Sequence, residues 1–212
     1  KTTIMIKCNV TVCGNIVSSA EEKTTSEGNK FMSYAIVLGV AGRDNSVKEL
    51  HINVSAPLNY ETKSNYSTGR RVTVNGTLYV RKHDGVQYFN LRTDKEAEFN
   101  ESTAPDRMEG NMDFKGKISK KGVESRRSKK GKEIQTFSAF SSDKNGENRE
   151  FTWVNFLSFT TVKSDFCDAE KYVEIQGDLK LNVYQSKLQL ECIVKSVAPW
   201  EINGKNDTES EN

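Results

Sequence analysis

Apolar and polar residues alternate through most of the chain. In "RRVTVNGTL" (70–78) Val72, Val74 and Leu78, with Val80 beyond, fall on or near every second position, the period of a half-buried strand. The stretch "KYVEIQGDL" (171–179) repeats the pattern with Val173, Ile175, Leu179 and then Leu181. Gly76 and Gly177 interrupt these strands midway, where glycine marks a bulge or bend. A strand bent at its centre serves two sides of a small closed barrel. In "FTWVNFLSF" Val154, Phe156 and Ser158 share one face, and Phe151, Trp153, Asn155, Leu157 and Phe159 the other. Both faces are partly apolar, so one is core and the other a binding face or an interface. Met32, Tyr34, Ile36 and Leu38 form the core side of a further strand, leaving Phe31 and Ser33 opposite.

These elements recur. "NVTVCGNI" (9–16) meets "NMDFKGKI" (111–118), and "GNKFMSYAIVL" (28–38) meets "GKEIQTFSAFS" (131–141). "ELHINV" (49–54) meets "FTWVNF" (151–156), Gly76 meets Gly177, and "YFNLRTDKEAEF" (88–99) meets "QLECIVKSVAPW" (189–200). The offset drifts only from 103 to 101, so one domain is written twice. Each copy has five strands, and the non-alternating segments 56–69 and 157–170 leave room for a short helix after the third. That matches an OB-fold barrel; a β-sandwich wants about seven strands in ~100 residues. The fold class is all-β, two tandem five-stranded OB-fold barrels: residues 1–99, a linker at 100–107, 108–201, and an acidic flexible tail at 202–212. Phe99 and Trp200, at equivalent positions, are expected to plug the barrel ends.

Composition agrees with two small cores rather than one large one: 35% of residues are apolar and 28% charged. The net charge of +2 hides a basic body, because the last twelve residues hold one Lys against four acids. Such a body suits a polyanion partner. Cys8, Cys13, Cys167 and Cys192 form no C-x-x-C pair and there are two histidines, so no metal site is expected. Buried free thiols imply a reducing, intracellular (cytoplasmic) setting. No run of about 18 apolar residues suggests a membrane partner. Nucleophile–base pairs and phosphate-binding glycine loops are also missing, so neither catalysis nor a cofactor is expected.

Holding a single nucleic-acid strand without reading its sequence takes cations along the phosphates and flat faces for the bases. The densest basic run, "KISKKGVESRRSKKGK" (117–132), includes Lys120, Lys121, Arg126, Arg127, Lys129, Lys130 and Lys132. It occupies the hairpin between the first two strands of the second barrel, one of the loops flanking the ligand face of this fold. In the first repeat the cations are Arg70 and Arg71 entering the fourth strand, then Arg81, Lys82 and Lys95 around a hairpin turned by Asp84-Gly85, whose ascending arm is lined by Arg81, Lys82 and His83 next to Tyr88. Phe31 is a stacking candidate on its strand. Stacking, core and subunit-interface roles all remain open for Trp153.

"TWVNFLSF" (152–159), followed by a connection and "KYVEIQGDLKLNVY" (171–184), resembles the bacterial and phage single-stranded-DNA-binding proteins. "GRRVTVNGTLYVRKHDGVQYFNL" (69–91) carries the latter half of the same pattern. The resemblance covers residues 8–200, once per repeat. It implies that Trp153, Phe159 and Tyr184 stack on bases, with Phe151 on the same strand face. In the first repeat His51 stands where the tryptophan would be and His83 where the hairpin aromatic would be, so the second barrel is expected to stack better. The implied function is non-sequence-specific single-stranded DNA binding in replication, recombination or repair. The family assembles four barrels, which implies a homodimer here, and its acidic tails recruit replication or recombination proteins. An RNA-binding tandem barrel and a protein-interaction adaptor are the alternatives.

Overall fold

The computed structural model describes residues 5–42, 45–128, 131–145, 148–162 and 165–201. The first repeat folds into β1 (Ile6–Thr24), β2 (Lys30–Ala41), β3 (Val47–Pro57), β4 (Arg71–His83), β5 (Val86–Arg92) and the short β6 (Glu98–Phe99). The second forms β7 (Arg107–Ile118), β8 (Glu124–Arg127), β9 (Glu133–Asn145), β10 (Asn148–Ser158), β11 (Tyr172–Tyr184) and β12 (Lys187–Pro199). Strands neighbour one another in the order β1-β2-β3-β5-β4, and β4 returns to β1; likewise β7-β11-β12-β10-β9, with β9 returning to β7. One pair in each ring is parallel, β3 with β5 and β10 with β12. This closed five-stranded ring, seen twice, is the OB-fold expected from the alternation.

The mid-strand glycines are explained by these rings. Gly76 lies opposite Val10 of β1, and pairing with β5 begins one residue later, at Thr77 opposite Arg92. The strand turns there from one neighbour to the next. A Cβ at Gly76 would overlap the Arg92 carbonyl oxygen, and one at Gly177 would overlap that of Ile193. Neither glycine has a positive φ. Close backbone approach, not left-handed geometry, excludes a side chain there.

Alternation predicted the core well. Met32, Tyr34, Ile36 and Leu38 are buried as expected; of the two faces of "FTWVNFLSF" that the pattern left open, the one with Val154, Phe156 and Ser158 is the buried one. Two details differ from expectation. The connection after β3 holds one 3-10 turn (Lys63–Asn65), and the described residues of the matching connection in the second repeat hold no helix. The end of the first barrel is filled by Tyr66 rather than Phe99. Tyr66 is 1% exposed and its ring lies 5.0 Å from that of Tyr34, while Phe99 covers it edge-on from outside at 5.1 Å. Phe99 ends on the rim because it pairs with Val72 at the beginning of β4. Trp200 is likewise half-buried, edge-on to exposed Tyr172.

The barrels meet through their first strands. β1 and β7 pair antiparallel from Ile6 opposite Phe114 to Cys13 opposite Arg107. Asn9 faces Asn111, its own counterpart one repeat later. A pair of equivalent residues facing each other marks a local two-fold axis, the signature of an isologous interface, here within one chain.

Candidate nucleic-acid interface

The outer face of the second barrel is set by the same alternation that fills its core. β10 turns Thr152, Val154, Phe156 and Ser158 inward, so Phe151, Trp153, Asn155 and Leu157 face outward. Register places Phe140 of β9 directly opposite Trp153. The three rings form a cluster: Phe140 lies 4.9 Å from Trp153 and 5.2 Å, edge-on, from Phe151. Phe151 is 42% and Trp153 52% exposed. Farther along the same face, Asn155 accepts a hydrogen bond from the Ser138 hydroxyl at 2.8 Å and reaches Gln189 at 3.4 Å. Beyond it opens a groove of about 330 Å³ lined by Lys121, Arg126, Ser138, Asn155 and Leu157. Glu124 and Glu191 share that groove, so its cations do not act alone.

The first barrel carries the larger depression, a groove of about 840 Å³ between the β1–β2 hairpin, the end of β3 and the β4–β5 hairpin. Phe31, Tyr79, Arg81, Asn90 and Arg92 line it, with Lys30, Glu27 and Asp94 at its rim. Pairing explains the grouping. Tyr79 lies opposite Asn90, Arg81 opposite Tyr88 and Thr77 opposite Arg92, which aligns these side chains on the face away from buried Leu78, Val80, Phe89 and Leu91. Lys30 is engaged by Glu22 at 2.7 Å. Hydrogen bonds from Lys30 and Tyr60 hold the Glu22 carboxyl below its usual range, so a phosphate at this rim competes with a carboxylate already in place.

The other predicted residues are distributed as follows. In the basic run, β7 ends at Ile118, Gly122 (φ +68°) turns the chain, and β8 pairs with β9. Lys121 and Arg126 reach the groove, while Lys120, Arg127 and Lys132 are exposed outside its lining. Lys129 and Lys130 lie outside the described residues. Phe159 (57% exposed) sits one residue past β10, and Tyr184 (58%) at the end of β11 opposite Lys187. His51 is exposed on β3, 3.4 Å from Glu49. His83 is exposed beside Asp84. Half-buried Lys82 falls between Arg81 and His83 in the alternation and so on the opposite face. Arg70 is exposed, with its guanidinium 4.9 Å from the centre of the Phe99 ring.

Arg71 is the clear correction. Expected to contact phosphate, it is buried, donates to Asn15 Oδ1 at 3.1 Å and pairs with Asp106. Asp106 also accepts the Gly39 N–H at 2.6 Å, which ties the segment leading into β7 to the first barrel. Burial demands a partner for a guanidinium, and "RR" does not say which arginine points inward. The pairing of Arg71 with Asn15 on β1 does.

Tyr79, Arg92 and Phe140, which join the expected residues at these two places, were not among the candidates read from sequence. Their signal was present: each alternates with a buried apolar neighbour, as in "YFNLR" around Phe89 and Leu91. All four cysteines are buried and free. Burial, with the charges of Cys192 and Asp113 adding to it, pushes the Cys8 thiol up to about 12, and Cys192 also lies at about 12, chiefly through burial.

No family model and no curated protein matches the chain. It is similar to solved structures of single-stranded DNA binding proteins. One, a deletion mutant of the protein from Thermus aquaticus, is 12% identical with a TM-score of 0.45, over 97% of this chain and 100% of that one. Another, the Plasmodium falciparum protein in complex with single-stranded DNA, is 20% identical with a TM-score of 0.33, over 44% of this chain and 95% of that one.

Proposed function

We propose that the chain binds single-stranded DNA without strong sequence preference, as two barrel units (1–99 and 108–201) joined through residues 100–107. The observation carrying this reading is the ring cluster of Phe140, Phe151 and Trp153, held half-exposed on the outer face of strands whose inner face is already a packed core. Folding gives no reason to expose three adjacent rings. Unpaired bases do, since each offers a π-face whatever its identity, and a base–aromatic stack is worth ~1–3 kcal/mol. Lys121 and Arg126, reached along the same face through Asn155, supply charge for the phosphates.

Titration of oligo(dT), oligo(U) and duplex DNA at two salt concentrations tests the reading. Binding of oligo(dT) should weaken with salt, with a log–log slope near ~−0.7 per phosphate contacted, and should exceed duplex binding. Stronger binding of oligo(U) would turn the assignment to RNA. No single-strand binding at low salt would leave the ring cluster as a docking face for protein and sink the proposal.

A further inference from the structure

Among the described residues, a pair of hydrogen bonds crosses between the barrels away from the β1–β7 seam, and the two are counterparts. The Gly85 N–H, in the β4–β5 turn, donates to Glu150 Oε1 at 2.6 Å. Lys48 Nζ donates to the Ser186 carbonyl oxygen, in the β11–β12 turn, at 2.8 Å. Lys48 and Glu150 stand one repeat apart, as do Gly85 and Ser186. Each barrel therefore extends its last hairpin onto the third strand of the other. The local two-fold makes the same contact twice, with different chemistry at the two crossings.

At the Lys48 crossing the hairpin carries Tyr184 opposite Lys187, but the strand it meets continues through Glu49 and His51, with Val37 opposite His51 where the other barrel has Phe140 opposite Trp153. At the Glu150 crossing it meets the strand bearing Phe151 and Trp153, and β4 packs against both β9 and β10. The hairpin arriving there carries Arg81 and Tyr88 as a cross-strand pair. Arg81 also lines the first barrel's large groove.

We infer that one nucleic-acid strand runs through both barrels by way of the Glu150 crossing. It passes from the ring cluster of the second barrel onto the Arg81–Tyr88 arm of the first, and so into the groove with Tyr79 and Arg92. The binding site is then composite: stacking from one barrel, guanidinium charge from the other, and one strand per chain. This rests on the single-strand reading above and adds the route. Glu150 also has a place in this arrangement. Its Oε1 accepts the Gly85 N–H, which holds the hairpin where the path passes from one barrel to the other.

The test measures anisotropy of labelled oligo(dT) of about 8 and about 30 nucleotides, lengths within and beyond one barrel's reach. Variants are Arg81→Ala, Trp153→Ala, the double variant and, at the other crossing, Lys48→Ala; native mass spectrometry gives stoichiometry. One long strand per chain is expected. Arg81→Ala should weaken long-strand binding roughly tenfold and Trp153→Ala at least as much, while Lys48→Ala leaves it unchanged. Two long strands per chain at saturation would overturn the route, as would an Arg81→Ala protein that binds like wild type or a loss at Lys48→Ala equal to that at Arg81→Ala. Wild-type protein that binds neither length would remove the single-strand reading itself, a different failure from binding by the wrong path.

Discussion

Replacing Arg71 with methionine separates a folding role from a binding one at a position where sequence suggested phosphate contact. The side chain is 6% exposed and pairs with Asp106 and Asn15. Removing one member of a buried ion pair costs roughly 3–5 kcal/mol when the partner charge is left buried. Asp106 is not left so: its side chain is 34% exposed and keeps the Gly39 N–H, so water takes over much of the lost interaction. Methionine, flexible and apolar, refills much of the vacated volume. About 2 kcal/mol of lost stability remains, from the hydrogen bonds and the partly desolvated charge. With a urea slope near ~2 kcal/mol/M, the unfolding midpoint should fall by about 1 M. Circular dichroism during urea titration measures it, and the folded variant is then titrated with oligo(dT). A lowered midpoint with unchanged affinity is the expected result. An unchanged midpoint with weakened binding would refute the structural assignment and restore Arg71 to the interface.

Two further outcomes follow from the core. Gly177→Ala drives a methyl into the Ile193 carbonyl and to 2.6 Å from Cys192 Sγ; overpacking of this kind costs roughly 1–3 kcal/mol, and a thermal melt superimposable on wild type would contradict it. Stability should also fall in alkali. Cys8 and Cys192 lie at about 12 when folded against an ordinary 9.0, and burial raises Tyr34 and Tyr66 as well. The unfolded chain releases these protons first, so this contribution is complete below pH ~9 and is lost as pH rises toward ~12. Urea midpoints at pH 8 and pH 10.5 should differ, and less so in a Cys8→Ala/Cys192→Ala variant; equal midpoints in wild type would count against it.

The fold was legible because both of its signals are local and repeated. Period-two alternation marked the strands, and glycines at matching offsets marked where each barrel bends. The site was legible only in part, for a physical reason. Alternation says which residues share a face, and so grouped Trp153 with Phe151, but it left open whether that face is core or surface. It does not say which strands lie side by side, and Phe140 joins Trp153 only through the β9–β10 register. Arg71 and Arg70 are adjacent in sequence and opposite in fate, decided by a partner on β1 and another 35 residues downstream at Asp106. The crossings at Glu150 and Lys48 depend on how two barrels sit together, which no single repeat encodes.

The central claim is that Trp153 offers its open face to a base, and the chain supplies its own reporter. It has two tryptophans, and Trp200 lies against Tyr172. Trp200→Phe leaves Trp153 as the sole indole. On adding oligo(dT) at low salt, fluorescence of this variant should be quenched in a saturable titration that salt reverses, as stacking on a charged strand requires. Tight binding of the strand with no change in Trp153 emission would contradict the account.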